Sequence, residues 1–171
     1  MRTSGAIATA AAVAMIGGLA AAPARAVTDE MPINGTFIAR SMGDWAQTRD
    51  SYHNEVTVTS TWTINSTCTG PTDCTGQVQS DKGWTAPLLW YGGAWEVKRE
   101  IPNWEPCEDG TAYTGHQFIR FVGVDEDGLL ITRQSTAIQF SGTDRTDGES
   151  GACGINNKQV ITMPFTMRKV A

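Results

Sequence analysis

LLWYGGAWEV, residues 88–97, reads as a β-hairpin whose register decides the rest of the chain. With Gly92-Gly93 as a two-residue turn, the pairing of the arms is fixed. Tyr91 falls opposite Ala94, Trp90 opposite Trp95, Leu89 opposite Glu96 and Leu88 opposite Val97. Side chains alternate across a strand, so Leu88, Trp90, Trp95 and Val97 share one face. Leu89, Tyr91, Ala94, Glu96 and, further on, Lys98 share the other. The charges mark that second face as the outer one.

Working outward, EVTVTSTWTI (55–64) alternates with period two. Val56, Val58, Ser60, Trp62 and Ile64 face one way and the threonines face the other, the pattern of a half-buried strand. Residues 159–169 repeat it, with Ile161, Met163, Phe165 and Met167 inward. Pro164 has no amide hydrogen to give, so this strand sits at an edge or carries a bulge there. GTFIARS (35–41), TGQVQS (75–80), TGHQFIRFV (114–122), LLITRQS (129–135) and AIQF (137–140) read as further strands, separated by turn signals such as VDEDG (124–128). GDWAQTRD (43–50) offers at most one helical turn. SGTDRTDGESGAC (141–153) reads as a polar loop. The whole is an all-β antiparallel meander of about 7–9 strands. Hairpin-length connections favour a closed barrel of the lipocalin or avidin type over a sandwich.

Residues 1–26 have the form of an export signal: Arg2, an Ala-rich apolar run over 6–22, and Ala24-Arg25-Ala26 as a cleavage site. The secreted part is then one β domain, residues 27–171. No other run approaches the length of a membrane span. The chain has 13 Lys and Arg against 18 Asp and Glu, a net charge of −5. Arg2 and Arg25 leave with the signal, so the domain carries −7. An acidic surface without a basic patch argues against nucleic acid and anionic lipid as partners.

All four cysteines lie in the exported part, which suits an oxidising compartment. Spacing favours Cys68 with Cys74 and therefore Cys107 with Cys153. A zinc site would need ligand spacing that is absent: there is no CxxC and no histidine nearby. No cofactor motif is present. His53 and His116, the only histidines, lack a nucleophile in a recognisable setting and read as strand-end polar groups. Asp125, Glu126 and Asp127 read as a turn tip. Asp144, Asp147 and Glu149 read as solvated loop carboxylates, without the apolar surroundings that paired catalytic carboxylates need. Asn34-Gly-Thr and Asn65-Ser-Thr fit the glycosylation triplet, but a bacterial-looking signal gives them no weight.

SDKGWTAPL (80–88), WEVKREIPNWEPCEDGT (95–111) and GHQFIRF (115–121) together resemble small exported proteins of mycobacteria and related actinobacteria. The resemblance implies export and two disulfides, and it carries no catalytic residue onto this chain.

Four of the six tryptophans fall within residues 84–104. The inward Trp90–Trp95 pair either fills a core or, with Trp62, Val97 and Phe165, lines a cavity for a small apolar or amphipathic ligand. Trp84 and Trp104 sit in loop-like stretches, as plugs of a barrel end or, with Tyr91, as contacts for a glycan or host protein. The expectation is a secreted, non-enzymatic binding protein. A surface-interaction module is the alternative, and a hydrolase the least supported.

Overall fold

The computed structural model describes residues 30–170, and the signal peptide expected over 1–26 lies outside them. Ten strands are present among these residues: β1 (Gly35–Ser41), β2 (Gln47–Thr48), β3 (Ser51–Tyr52), β4 (Val58–Gly70), β5 (Asp73–Ser80), β6 (Thr85–Tyr91), β7 (Ala94–Pro106), β8 (Ala112–Val124), β9 (Gln139–Asp147) and β10 (Val160–Lys169). The order β1-β4-β5-β6-β7-β8-β9-β10 closes on itself through antiparallel β1–β10 pairing. The fold is therefore an eight-stranded antiparallel barrel, with β2 and β3 added beside β10. Closure leaves the barrel no free edge, which is how an all-β chain avoids edge-to-edge association.

The hairpin register is the one expected, from Leu88 with Val97 to Tyr91 with Ala94. Glu96 does face outward, yet it is buried beneath its partners. Arg120 pairs with it at 2.7 Å and Lys98 at 3.5 Å, while Arg120 also donates to the Gly92 carbonyl at 2.5 Å. These bonds lock the turn to β8. At Pro164 the Met42 N–H donates to the proline carbonyl at 2.8 Å, and no return bond is possible. β1 leaves the sheet at this point.

Three segments depart from expectation. β4 begins at Val58, and Val56 is exposed, because residues 53–57 fold instead against the short helical turn Gly43–Trp45. LLITRQS (129–135) is not a strand. Only Leu130 bridges to Val124, and the segment runs into a 3₁₀ turn at Gln134–Thr136. Leu129 and Leu130 are exposed, so branched composition here reflects no ladder. Conversely, SGTDRTD is strand rather than loop, and it pairs along both sides with β8 and β10.

Both disulfides form as paired from the spacing. Cys68–Cys74 closes the β4–β5 hairpin, and Cys107–Cys153 ties the β7–β8 connection to the β9–β10 connection. Two such bonds suit an extracytoplasmic domain. Among the described residues no helix is long and apolar enough to cross a membrane.

The core is an aromatic stack across the barrel. Trp62 lies 5.3 Å from Phe165 and 6.3 Å from Phe121, and Phe121 lies 5.8 Å from Phe140. Leu88, Trp95, Val97 and Ile119 complete it, all essentially without solvent exposure.

Candidate functional site

The two ends of the barrel differ. At the end carrying the Gly92-Gly93 turn, residues 30–34 cross beneath the strands and bury Met31 and Ile33. Ser66 fixes them, donating to the Ile33 carbonyl and accepting from the Ile33 N–H, both at 2.8 Å. Buried Gln134 bonds to the Gly123 N–H, and Ala137 packs beside it. That end is sealed by the chain itself.

At the opposite end a cavity of about 370 Å³ opens into the barrel. Trp62 is its floor. Apolar wall comes from Val58, Ile101, Ile119 and Met163, and aromatic wall from Trp84 and Trp104. Polar groups are built into the same space: Ser41, Lys82, Arg99, Gln117, Asp144 and Thr146. A volume of this size, apolar with a few placed polar groups, falls within the range of small-molecule sites.

Strand parity explains how they arrive there. The inward face of β7 that holds Trp95 and Val97 continues through Arg99 and Ile101. On β8 the inward set Phe121 and Ile119 continues to Gln117 and Gly115. On β9 Phe140 is followed inward by Gly142, Asp144 and Thr146. Gly115 has a specific use, since a Cβ there would meet the Trp104 indole at 2.6 Å. Glycine lets that ring lie flat against β8 at the cavity mouth.

Four of these polar groups, Arg99, Gln117, Asp144 and Ser41, form one chain of hydrogen bonds. Arg99 Nε donates to Gln117 Oε1 at 2.5 Å. Gln117 Nε2 donates to both Asp144 oxygens, at 2.8 and 2.9 Å, and the Ser41 hydroxyl donates to Asp144 Oδ2 at 2.6 Å. The Arg99 guanidinium lies 4.4 Å from the Trp84 ring centre, a cation–π geometry, and Trp84 packs edge-on against Trp62. Burial pushes the Asp144 carboxyl above its ordinary pKa, against the opposing pull of Ser41, Gln117 and Arg99. Burial likewise lowers the Arg99 pKa, and the Asp144 charge works against that. Arginine nonetheless remains protonated at any physiological pH.

Of the residues singled out in the sequence, Trp62 lies on the cavity floor, whereas Trp95, Val97 and Phe165 sit in the packed core. Trp90 is half-buried, edge-on to Trp95 at 5.4 Å and towards the sealed end. Trp84 and Trp104 are half-buried at the mouth rather than exposed, and Trp104 belongs to β7, not to a loop. Tyr91 is exposed on the outer wall, away from both. Asp144 corrects the sequence reading most sharply. It is 2% exposed on a strand, not solvated in a loop. Its neighbour Asp147 does face outward, paired with Arg145 and Lys158. His53 and His116 are exposed, beside Glu55 and Glu100. Among the described residues no three His, Cys, Asp or Glu side chains cluster as metal ligands would. Sequence reasoning missed Arg99, Gln117 and Ser41. The signal was available for Arg99, because extending the hairpin parity two residues past Val97 puts an arginine on the inward face.

A larger groove, about 780 Å³, lies on the outer wall over Ile38, Arg40, Thr166 and Arg168, overhung by residues 124–128. Its charges are mixed, and no buried polar group points into it.

No protein-family model matches the chain, and no curated protein sequence is similar to it. Its fold is similar to that of the monomer form of the Mycobacterium tuberculosis PknI sensor domain, with a TM-score of 0.55 over 82% of this chain and 89% of that one. Sequence identity is 14%, so the likeness is one of fold. The resemblance to mycobacterial proteins noted in the sequence therefore stands at the level of architecture.

Proposed function

We propose that this is a secreted, non-enzymatic binding protein that takes a small amphipathic molecule into the open end of its barrel. The observation that carries this reading is the asymmetry of the interior. One half is filled with aromatic side chains and sealed by the chain's own N-terminal segment. The other is left as a cavity floored by Trp62 and walled by Trp84 and Trp104. Fold likeness to a domain described as a sensor accords with a ligand-taking role. The alternative, a glycan or protein surface built from Trp84, Tyr91 and Trp104, has less support, because the two tryptophans turn into the barrel and only Tyr91 stands on the outside.

Indole N–H resonances test the reading directly. Titration with eight-carbon amphiphiles is expected to shift the Trp84 and Trp104 signals and leave that of Trp45, exposed beyond the barrel, in place. Unmoved Trp84 and Trp104 signals across the series at millimolar concentration overturn it.

A further inference from the structure

Resting on the cavity as a binding site, the geometry points to its ligand class: an organic carboxylate, its head group on Arg99 and its apolar body against Trp62 and Trp104.

Arg99 is held on two sides and open on the third. Trp84 fixes the plane of the guanidinium and Gln117 takes its Nε hydrogen. Among the described residues no partner occupies either Nη group, and no carboxylate comes within ion-pair distance. A guanidinium fixed in this way presents its paired outer N–H groups as a fork, the geometry that carboxylates accept in bidentate fashion. Little side-chain entropy remains to be lost on binding, since the stem is already ordered. Asp144 acts on the guanidinium only at a distance, with Gln117 between them, so the cost of half-burying the charge is partly uncompensated and an incoming anion relieves it.

Lys82 adds a second cation at the rim, and it too makes no ion pair among the described residues. Asp144 is the one carboxylate in the cavity, and it does not make the site a cation trap. Both of its oxygens are already engaged, by Ser41 and by Gln117, and Gln117 stands between it and the guanidinium. Among the residues lining the cavity, two cations stand against one satisfied carboxylate. A cavity of about 370 Å³ limits the ligand to a small amphiphile rather than a long-chain lipid.

The experiment compares three probes with one tail: octanoate, octan-1-ol and octyltrimethylammonium, each titrated calorimetrically into the intact protein. Octanoate is expected to bind about 10-fold more tightly than octanol, in line with a charge-assisted bidentate pair. Arg99→Gln should erase that gap, Arg99→Lys should restore part of it, and Lys82→Ala should narrow it by about 2–3-fold. Equal affinity for all three probes, or a preference for the ammonium, overturns the carboxylate assignment and leaves the cavity as a binding site. Failure of every probe to bind overturns both. The head-group series on the unmodified protein decides the matter even if a substitution at Arg99 unfolds the barrel.

Discussion

The sealed and the open ends of this barrel are made from the same strands, yet they obey different rules. Towards the sealed end the inward positions are Phe37, Trp95, Phe121 and Phe140, and the buried polar groups hold the covering segments, Ser66 by its bonds to Ile33 and Gln134 by its bond to the Gly123 N–H. Towards the open end the same strands turn Ser41, Arg99, Gln117 and Asp144 inward. A packed interior needs no such groups, because burying polar atoms costs free energy unless each finds a partner. Their presence at one end divides the interior into a half that holds the fold together and a half that can meet something.

That division is broken most directly by truncating one side chain from each half. Phe165 packs on both Trp62 and Phe121 and is 1% exposed. Phe165→Ala should cost about 3–5 kcal/mol of stability in urea denaturation, as a buried aromatic does when a cavity is left behind. Trp104→Ala removes a larger ring from the half-buried mouth and should cost less than half as much. Equal losses at the two positions would mean that the mouth is core.

The disulfides sharpen the same contrast, because one lies at each end. Cys107–Cys153 joins the two connections above the cavity across a separation of 46 residues, and Cys68–Cys74 closes a separation of 6. On the loop-entropy account the long bridge contributes about 3–4 kcal/mol and the short one about 2 kcal/mol. The double serine variant at 107 and 153 should therefore lose more in denaturant than the variant at 68 and 74. It should also change the Trp104 indole environment, which the short-bridge variant leaves alone.

How far the chain could be read follows from this division too. Where a barrel strand is filled with apolar side chains inside, period two is visible, and the hairpin at 88–97 and the inward set of β10 were legible for that reason. β9 was not, because its open-end stretch alternates Gly142, Asp144 and Thr146 inside with Thr143 and Arg145 outside. Polar residues on both faces erase the signal, so SGTDRTD reads as loop and Asp144 as solvated. LLITRQS fails the opposite way. Its branched residues suggest a ladder, but their place is the cover over the sealed end, where only Ile131 packs against the core. The cavity was hidden because its polar lining, Ser41, Arg99, Gln117, Asp144 and Thr146, carries no apolar alternation to mark those positions as inward.

Gly115 offers a smaller perturbation, confined to the mouth. Gly115→Ala puts a methyl 2.6 Å from the Trp104 indole, so the ring must move. Gly115 has an ordinary strand backbone, so the effect is steric, from the half-buried Trp104 ring and from the buried Thr146 methyl at 2.9 Å. The expected loss is about 1 kcal/mol, within the range for inserting a methyl group into a packed site. A displaced Trp104 indole resonance and altered amphiphile affinity should accompany it. A ring that stays in place would place the accommodation in the β8 backbone instead.

The smallest effect separates two aspartates three residues apart. Asp144 faces the cavity, and burial raises its pKa above the ordinary aspartate value. Asp147 faces out. Desolvation alone would raise its pKa, but hydrogen bonds from Arg145 and Lys158 outweigh it and the net shift is downward. Their contributions to stability therefore run oppositely with pH. For Asp147 the favourable term is present above the unfolded pKa and is lost as pH falls through the lower folded one. For Asp144 the carboxylate is charged in both states above the folded pKa, and the folded state bears the whole cost of burying it. Below the unfolded pKa the group is protonated in both states and that cost is gone. Asp144→Asn never bears it, and an asparagine can still accept from Gln117 and donate to the Ser41 oxygen. The variant should thus be more stable than the parent at neutral pH, with the gap shrinking as pH falls towards the unfolded value near 3.9. Paired urea titrations between about pH 3 and pH 8 measure that gap. An Asn variant weaker than the parent at every pH would show that the bonds from Ser41 and Gln117 outweigh the buried charge, making the hydrogen-bond chain a structural brace of the barrel wall.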